Sequence, residues 1–290
     1  MKGSDLPKLV LELGKARISL PVALSALAGY VLLEGTVGLG GWLLAAGVFS
    51  MSAGSATLNH LQEYRLDALM PRTQNRPLPS GRISVKGAWL VALGWLVAGS
   101  LLLLAVHPPL ALLLSWMTLL CYNAIYTPLK KVTAFAVIPG SMVGALPPMI
   151  GWAAAGGNLL DNQILLVATF FFIGQIPHFW LLLLIFGDQY QLAGLPSLNR
   201  IFSPAQIKRI TFTWILTTVA SALLVLFYVI SNSILFFVLL IYVFYLLFSL
   251  TFRFLLQPEF YPRPAFFRLN LLYLFMMFFI IAEGLLRSPA

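Results

Sequence analysis

The stretch NHLQEYRLDALMPRTQNRPLPSG, residues 59–81, decides how this chain is organised, because it places charge directly after a long apolar run. Asn59, Glu63 and Asp67 recur every four residues, so on a helix their side chains share one face. Arg72 and Arg76 follow them. Three oxygen ligands with arginines beyond them suit a hard divalent cation and the diphosphate that it carries. Since charge beside a membrane is costly, the stretch predicts a functional site at the end of a membrane helix.

The rest of the chain is nearly all apolar. Of its 290 residues, 60% are hydrophobic and 9% are charged, and the mean hydropathy is +0.92. Soluble domains do not have this composition, so we expect a polytopic membrane protein with one domain over residues 1–290. The first apolar segment lacks a small-residue cleavage site, which favours a retained span. The single cysteine, Cys121, excludes an intramolecular disulfide and a CxxC site.

Nine apolar segments are long enough to cross a bilayer. They lie at about residues 17–34, 40–58, 86–105, 109–127, 133–153, 162–184, 209–230, 233–256 and 264–286. Isolated strands cannot satisfy their backbone in lipid, so the spans are helices. We therefore expect an all-α polytopic membrane bundle of about nine transmembrane helices. The connections 59–85 and 185–208 are long and polar, which is typical of functional loops.

The net charge of +9 reflects topology, and we expect no nucleic-acid partner. With nine spans, all 18 Lys and Arg residues except Arg287 fall on the same side of the membrane. The positive-inside rule makes that side cytoplasmic, so the N-terminus and the face carrying residues 59–81 are both predicted to be cytoplasmic.

Two further segments carry chemistry. The first is YTPLKKVT, residues 126–133, followed by PGSMVGALPPMIGW, residues 139–152. Lys130 and Lys131 either anchor the helix end as positive-inside charges or reach a diphosphate as point charges. The second is QIPHFW, residues 175–180, followed by GDQYQLAGLP, residues 187–196. His178 is either a hydrogen-bonded packing residue or a substrate-pocket residue, since an ionisable group within a span is a functional candidate.

These motifs resemble those of the UbiA superfamily of membrane prenyltransferases, whose first motif is commonly NxxxDxxxD followed by RTxxRPL. The combination of YTxLKxxT, GxxxGAxPPxIGW, PHFW and AGxP is more specific, and resembles the protohaem IX farnesyltransferase (haem O synthase) family. The opening KARIS, residues 15–19, also resembles that family. The resemblance runs from about residue 12 to 215.

Two positions depart from the family pattern. Glu63 stands where the motif commonly has Asp; its side chain is one methylene longer but still coordinates a metal. Gln189 stands where the family usually has an Asp before Tyr190, and Asp188 lies one position earlier. Either Asp188 takes over as a ligand, or the second metal site is weakened.

The resemblance implies transfer of farnesyl from farnesyl diphosphate to the 2-vinyl group of haem B, which is a substrate and not a prosthetic group. It implies Mg²⁺ held by Asn59, Glu63, Asp67 and Asp188. It implies a diphosphate neutralised by Arg72, Arg76, Lys130 and Lys131. Tyr126, His178 and Tyr190 become substrate-binding candidates, and the aromatic candidates for stabilising a farnesyl cation are Tyr122, Tyr126, Phe179, Trp180 and Tyr190.

The same resemblance implies an integral protein of the bacterial cytoplasmic (inner) membrane, with a haem O oxidising enzyme or a terminal oxidase assembly as partner. Three other functions stay open. They are a related prenyltransferase with a quinone or chlorophyll-type acceptor, a transporter or channel, and a non-catalytic haem-binding protein. Almost no charge lies at mid-membrane, which disfavours transport. Of the three histidines only His178 lies well inside a span, which disfavours bis-histidine ligation.

Overall fold

The computed structural model describes residues 6–106, 109–252, 254 and 261–287. The described part is a bundle of ten helices that follow one another along the chain. They are α1 (Leu6–Leu13), α2 (Ala16–Glu34), α3 (Gly38–Asp67), α4 (Val85–Leu104), α5 (Leu110–Leu129), α6 (Ala134–Ala154), α7 (Asn162–Leu192), α8 (Pro204–Val229), α9 (Ser233–Thr251) and α10 (Pro262–Leu286). Within these residues, the nine helices α2 to α10 are long and apolar enough to span a membrane, which confirms the predicted number of spans.

The helix α2 lies at the centre of the bundle and packs against α3, α6 and α10. Its closest approach is to α6, where glycine on each helix makes room for the other backbone. A side chain at Gly29 would overlap the backbone of Pro148, and one at Gly151 would overlap that of Ala26. This small-residue contact is the usual way in which membrane helices come close together. One core cluster forms among α2 to α6 and a second is centred on α7 to α10.

Two helices are longer than the sequence predicted. Helix α3 continues to Asp67, so the connection that follows is shorter than 59–85. Helix α7 continues to Leu192, although we expected a loop from residue 185. The polar residues 188–191 do not break the helix, and the first strong breaker is Gly194, which has a φ of +71°. Helix α7 also bends at Phe186, where φ is −120° and ψ is 15°.

The last four helices, α7 to α10, are joined at one end of the bundle by a network around a buried carboxylate. Glu283 is 1% exposed and accepts hydrogen bonds from the backbone N–H groups of Ser231 (2.9 Å) and Asn232 (3.0 Å). Arg287, the one basic residue predicted to face away from the others, donates to the same carboxylate at 3.2 Å. Its other nitrogens bond the Val229 carbonyl and the Gln163 side chain. This network fixes the turn between α8 and α9.

Candidate functional site

A cavity of about 190 Å³ opens at the end of the bundle where α2 begins and α3 ends. Helices α3, α5, α6 and α7 and the connections that follow α3 and α7 contribute to its wall. Its charged, amide and aromatic lining residues are Lys15, Asn59, Glu63, Asp67, Arg72, Arg76, Tyr122, Tyr126, Lys130, Phe179 and Tyr190. Four cationic side chains thus face two carboxylates, and this excess of positive charge favours an anionic ligand.

The predicted face of α3 is present and buried. Asn59, Glu63 and Asp67 are 2%, 6% and 2% exposed, and all three line the cavity. The four-residue spacing places them one turn apart, as the sequence predicted. Asn59 Nδ2 donates to Glu63 Oε2 (3.0 Å) and to Thr127 Oγ1 (3.3 Å), which connects this face to α5.

Each carboxylate has a cationic partner from elsewhere in the chain. Lys130 Nζ lies 2.7 Å from Glu63 Oε2, and Arg76 Nη1 lies 2.9 and 2.8 Å from the two carboxylate oxygens of Asp67. Burial alone would lower the pKa of Lys130, but the negative charge of Glu63, together with Tyr126, Tyr122 and Tyr190, raises that pKa overall. Arg76 and Lys130, which pair with the acidic face, are therefore also close enough to bind an anion beside that face.

Lys15 is a cavity residue that the sequence interpretation missed. It precedes α2, and its Nζ donates to Asn59 Oδ1 at 2.8 Å. Its φ of 44° makes it the one non-glycine residue in the described part of the chain with a left-handed backbone, a conformation that costs roughly 1–2 kcal/mol. Burial, and then the charges of Arg76 and Lys130, lower the pKa of Lys15 to about 7. The sequence marks Lys15 as a topological charge and as part of the KARIS opening, without a role in the site, and the break between α1 and α2 directs it into the cavity.

An aromatic wall continues the cavity away from the charges. We use this name for Tyr122, Tyr126 and Phe179. Tyr122 and Tyr126 stack with ring centroids 5.5 Å apart, and Tyr126 and Phe179 are 5.3 Å apart. Lys130 Nζ lies 5.5 Å from the centre of the Tyr126 ring, so the wall begins where the ion pairs end.

Residues 22–278 match the UbiA prenyltransferase family. The chain belongs to that family. Its fold agrees with a solved UbiA homologue from Archaeoglobus fulgidus bound to GPP and Mg²⁺, with a TM-score of 0.68 and 18% sequence identity over 94% of this chain and 99% of that one.

Two curated relatives share more sequence with this UbiA family member. The protoheme IX farnesyltransferase of Oleidesulfovibrio alaskensis is 42% identical over 64% of this chain and 66% of its own length. The enzyme of the same name from Geobacter sulfurreducens is 43% identical over 64% of this chain and 68% of its own length. About a third of each relative therefore lies outside the matched part.

Gln189, which stands where the motif resemblance leads us to expect an Asp, links the segment after α3 to the end of α7. Its Oε1 accepts a hydrogen bond from the backbone N–H of Arg72 at 3.1 Å. The guanidinium of Arg72 lies 4.7 Å from the centre of the Phe186 ring, at the bend of α7. Burial lowers the pKa of Arg72. Gln189 therefore holds the segment after α3 against α7, beside Tyr190.

Four predicted residues lie outside the cavity lining. Asp188 is exposed. Lys131 is exposed too, and its Nζ donates to the Gln62 carbonyl at 3.3 Å. His178 packs on Phe266 with ring centroids 4.9 Å apart, and the other two aromatic neighbours are Phe179 and Tyr273. Trp180 packs edge-on to Trp214. Functional roles for these four residues stay predictions.

The α3 face fits a divalent cation that is also held by its substrate. Within the residues that the structure describes, no group of three or more His, Cys, Asp or Glu side chains is placed to hold a metal ion. The candidate set is two carboxylates and one amide. Glu63 Oε1 is buried and has no hydrogen-bond partner in the described part, so it is an acceptor available to a cation. Mg²⁺ is commonly bound by one or two carboxylates together with substrate phosphates.

Proposed function

We propose that this UbiA family member transfers the farnesyl group of farnesyl diphosphate to the 2-vinyl group of protohaem IX, giving haem O and diphosphate. The observation that carries the proposal is that an acidic helix face, four basic side chains and an aromatic wall meet in one cavity. The acceptor is supported by the names of the relatives that are 42% and 43% identical.

Asn59, Glu63 and Asp67 would hold Mg²⁺, which supplies positive charge to the leaving diphosphate. Glu63 Oε1 is unpaired, and among the described residues no third carboxylate is grouped with Glu63 and Asp67; both observations fit an ion completed by phosphate oxygens. The Archaeoglobus fulgidus homologue bound to GPP and Mg²⁺ supports this assignment.

The cations of the cavity bind and stabilise the diphosphate. Arg76 and Lys130 exchange part of their contact with Asp67 and Glu63 for phosphate oxygens, and Lys15 and Arg72 complete the ring of charge. As the bond between C1 and oxygen breaks, its electron pair leaves on diphosphate. Fixed cations aimed at that developing charge lower the barrier in a site that excludes bulk water.

The aromatic wall stabilises the farnesyl cation that ionisation leaves behind, because ring faces attract positive charge. The π electrons of the vinyl group form the new carbon–carbon bond to C1. Water adds to the cation that this leaves on the porphyrin side and then loses a proton. Haem B, farnesyl diphosphate and water thus give haem O, diphosphate and a proton.

We also infer the setting of the reaction. The distribution of Lys and Arg supports a cytoplasmic N-terminus and a charged cavity end that faces the cytoplasm from a bacterial inner membrane. Both substrates are largely apolar, and the helix bundle encloses them in an apolar environment within the lipid. The product would pass to a haem O oxidising enzyme or to a terminal oxidase assembly. The whole of residues 1–290 acts as one domain.

An acceptor panel tests this function. Purified protein in nanodiscs receives farnesyl diphosphate and Mg²⁺ with haem B, with an aromatic acid or with a quinone precursor, and the products are analysed by mass spectrometry. We expect a haem that has gained one farnesyl group and one hydroxyl group. Prenylation of the aromatic acid or quinone precursor without a haem product would overturn the acceptor.

A further inference from the structure

The helix α5 changes its winding where it meets the cavity. Residues Cys121–Tyr126 form a π-helical turn between α-helical segments. Such turns are rare and are frequently found at functional sites. A π turn holds one residue more than an α turn, so it rotates everything that follows on the helix by about 100°. Tyr126 and Lys130 are therefore directed by this turn.

Asn123 fastens the π turn to α3. It is 5% exposed, and its Oδ1 accepts from Ser55 Oγ at 2.6 Å. Its Nδ2 donates to the Ser55 carbonyl (3.0 Å) and to Gln62 Oε1 (3.1 Å). Gln62 Nε2 returns a hydrogen bond of 2.9 Å to the Asn123 carbonyl. Asn123 and Ser55 are buried and Gln62 lies exposed at the edge, and a network in which the buried amide is fully bonded specifies one arrangement of its two helices.

The network links the acidic face of α3 to the aromatic wall. Ser55 and Gln62 lie on the helix that carries Asn59 and Glu63, whereas Asn123 lies between the stacked rings of Tyr122 and Tyr126 along the chain. Gly140 provides space on the far side, because a Cβ there would lie 2.5 Å from Tyr126 Cδ2. The Tyr126 ring is thus held between an anchored turn and a glycine surface.

We propose that Asn123 is a positioning residue that fixes the rotation of α5, and with it the place of the aromatic wall relative to the acidic face. This arrangement decides whether the prenyl cation is captured by the acceptor or by water. The inference rests on the proposed function, since it concerns the fate of the cation formed there. The hydrogen-bond partners of the Asn123 amide are Ser55 and Gln62, and neither lines the cavity. Asn123 therefore acts on the cavity only through α3 and the π turn.

The test measures how farnesyl is divided between transferred product and farnesol. Asn123→Leu removes the amide, and Ser55→Ala removes only the 2.6 Å bond. The control is Thr118→Val, because Thr118 Oγ1 bonds the Leu114 carbonyl inside α5 and has no role in the proposed site. We expect Asn123→Leu to lower the ratio of transfer to farnesol by about tenfold while farnesyl diphosphate is still consumed. Ser55→Ala should lower it less, and Thr118→Val should match the wild type.

A structural role alone would lower stability and rate but leave the ratio unchanged. An unchanged ratio in folded Asn123→Leu would overturn the inference, and if that variant does not fold, Ser55→Ala decides in the same way. Farnesyl transfer by the wild type to another acceptor would refute the haem proposal. The role of Asn123 would then still be tested by the ratio of transfer to farnesol with that acceptor. Wild-type protein that only releases farnesol, or shows no turnover, would overturn both.

Discussion

Lys130 Nζ lies 2.7 Å from Glu63 Oε2, although 67 residues separate them along the chain. The contact joins the end of α5 to the acidic face of α3 at the point where the aromatic wall begins. It also separates two adjacent lysines, because Lys131 is exposed and bonds only a backbone carbonyl among the contacts described for it. The sequence does not distinguish Lys130 from Lys131, but in the fold only Lys130 lines the cavity.

This division gives a matched test on neighbouring residues. Lys130→Ala removes a cation from the cavity and leaves buried Glu63 without its partner. We expect kcat/KM for farnesyl diphosphate to fall by about 100-fold, whereas Lys131→Ala should change it less than about threefold. Steady-state kinetics on both variants makes the comparison. Equal losses would contradict the placement of Lys130 alone in the site.

Asp67 carries the second carboxylate, so Asp67→Asn should remove most of the turnover and leave the fold in place. The substitution keeps the shape of the side chain but removes the charge that Arg76 and the proposed cation both need. We expect a loss of at least about 100-fold in kcat, with an unchanged gel-filtration profile and a thermal midpoint that falls but stays above the assay temperature, because Arg76 loses its charged partner. Glu12→Gln is the control, since the Glu12–Arg82 pair is exposed and such pairs contribute little. Near-normal turnover in Asp67→Asn would refute the ligand assignment.

Substitutions at Lys15 test separately the strain of its left-handed backbone and the role of its charged side chain. Lys15→Ala and Lys15→Gly both remove the cation, but only glycine adopts a φ of 44° freely. Both variants should raise KM for farnesyl diphosphate by about tenfold, and the glycine variant should be the more stable by about 1 kcal/mol. Thermal unfolding and initial rates separate these effects. Lys8→Ala, which removes an exposed lysine of α1, should behave as wild type. If KM stays at the wild-type value in both Lys15 variants, the lysine does not bind diphosphate.

The buried carboxylate of Glu283 predicts an effect on stability alone. Glu283→Ala leaves two backbone N–H groups and Arg287 without their acceptor, which costs about 3 kcal/mol. The thermal midpoint in detergent should fall clearly, whereas kcat below the unfolding temperature should not change. Asp161→Ala, which removes an exposed helix cap, should cost only about 1 kcal/mol. A large loss of kcat in folded Glu283→Ala would mean that the hydrogen-bond network around Glu283 affects the site.

The sequence predicted much of this architecture because its main determinants are local. Apolar length alone indicates the nine spans. Asn59, Glu63 and Asp67 are four residues apart, so helix geometry alone places them on one face. The extension of α7 to Leu192 was missed because polar residues outside a bilayer favour helix and loop almost equally.

Other parts of the site depend on contacts between distant residues. Gln189 bonds the backbone of Arg72 across 117 positions, and no pattern near either residue predicts it. The left-handed backbone of Lys15 follows from packing around the break before α2, since lysine has no preference for that conformation. The π turn at Asn123 depends in the same way on Ser55 and Gln62 of another helix.

The most direct test of the central claim is the rate at which haem B is converted to a farnesylated haem. Wild-type protein in nanodiscs is given haem B, farnesyl diphosphate and Mg²⁺, with a parallel reaction in excess chelator, and extracted haems are weighed by mass spectrometry. We expect a haem heavier by one farnesyl group and one hydroxyl group, which forms with Mg²⁺ and is absent with chelator. Folded protein that consumes farnesyl diphosphate but leaves haem B unchanged would contradict it.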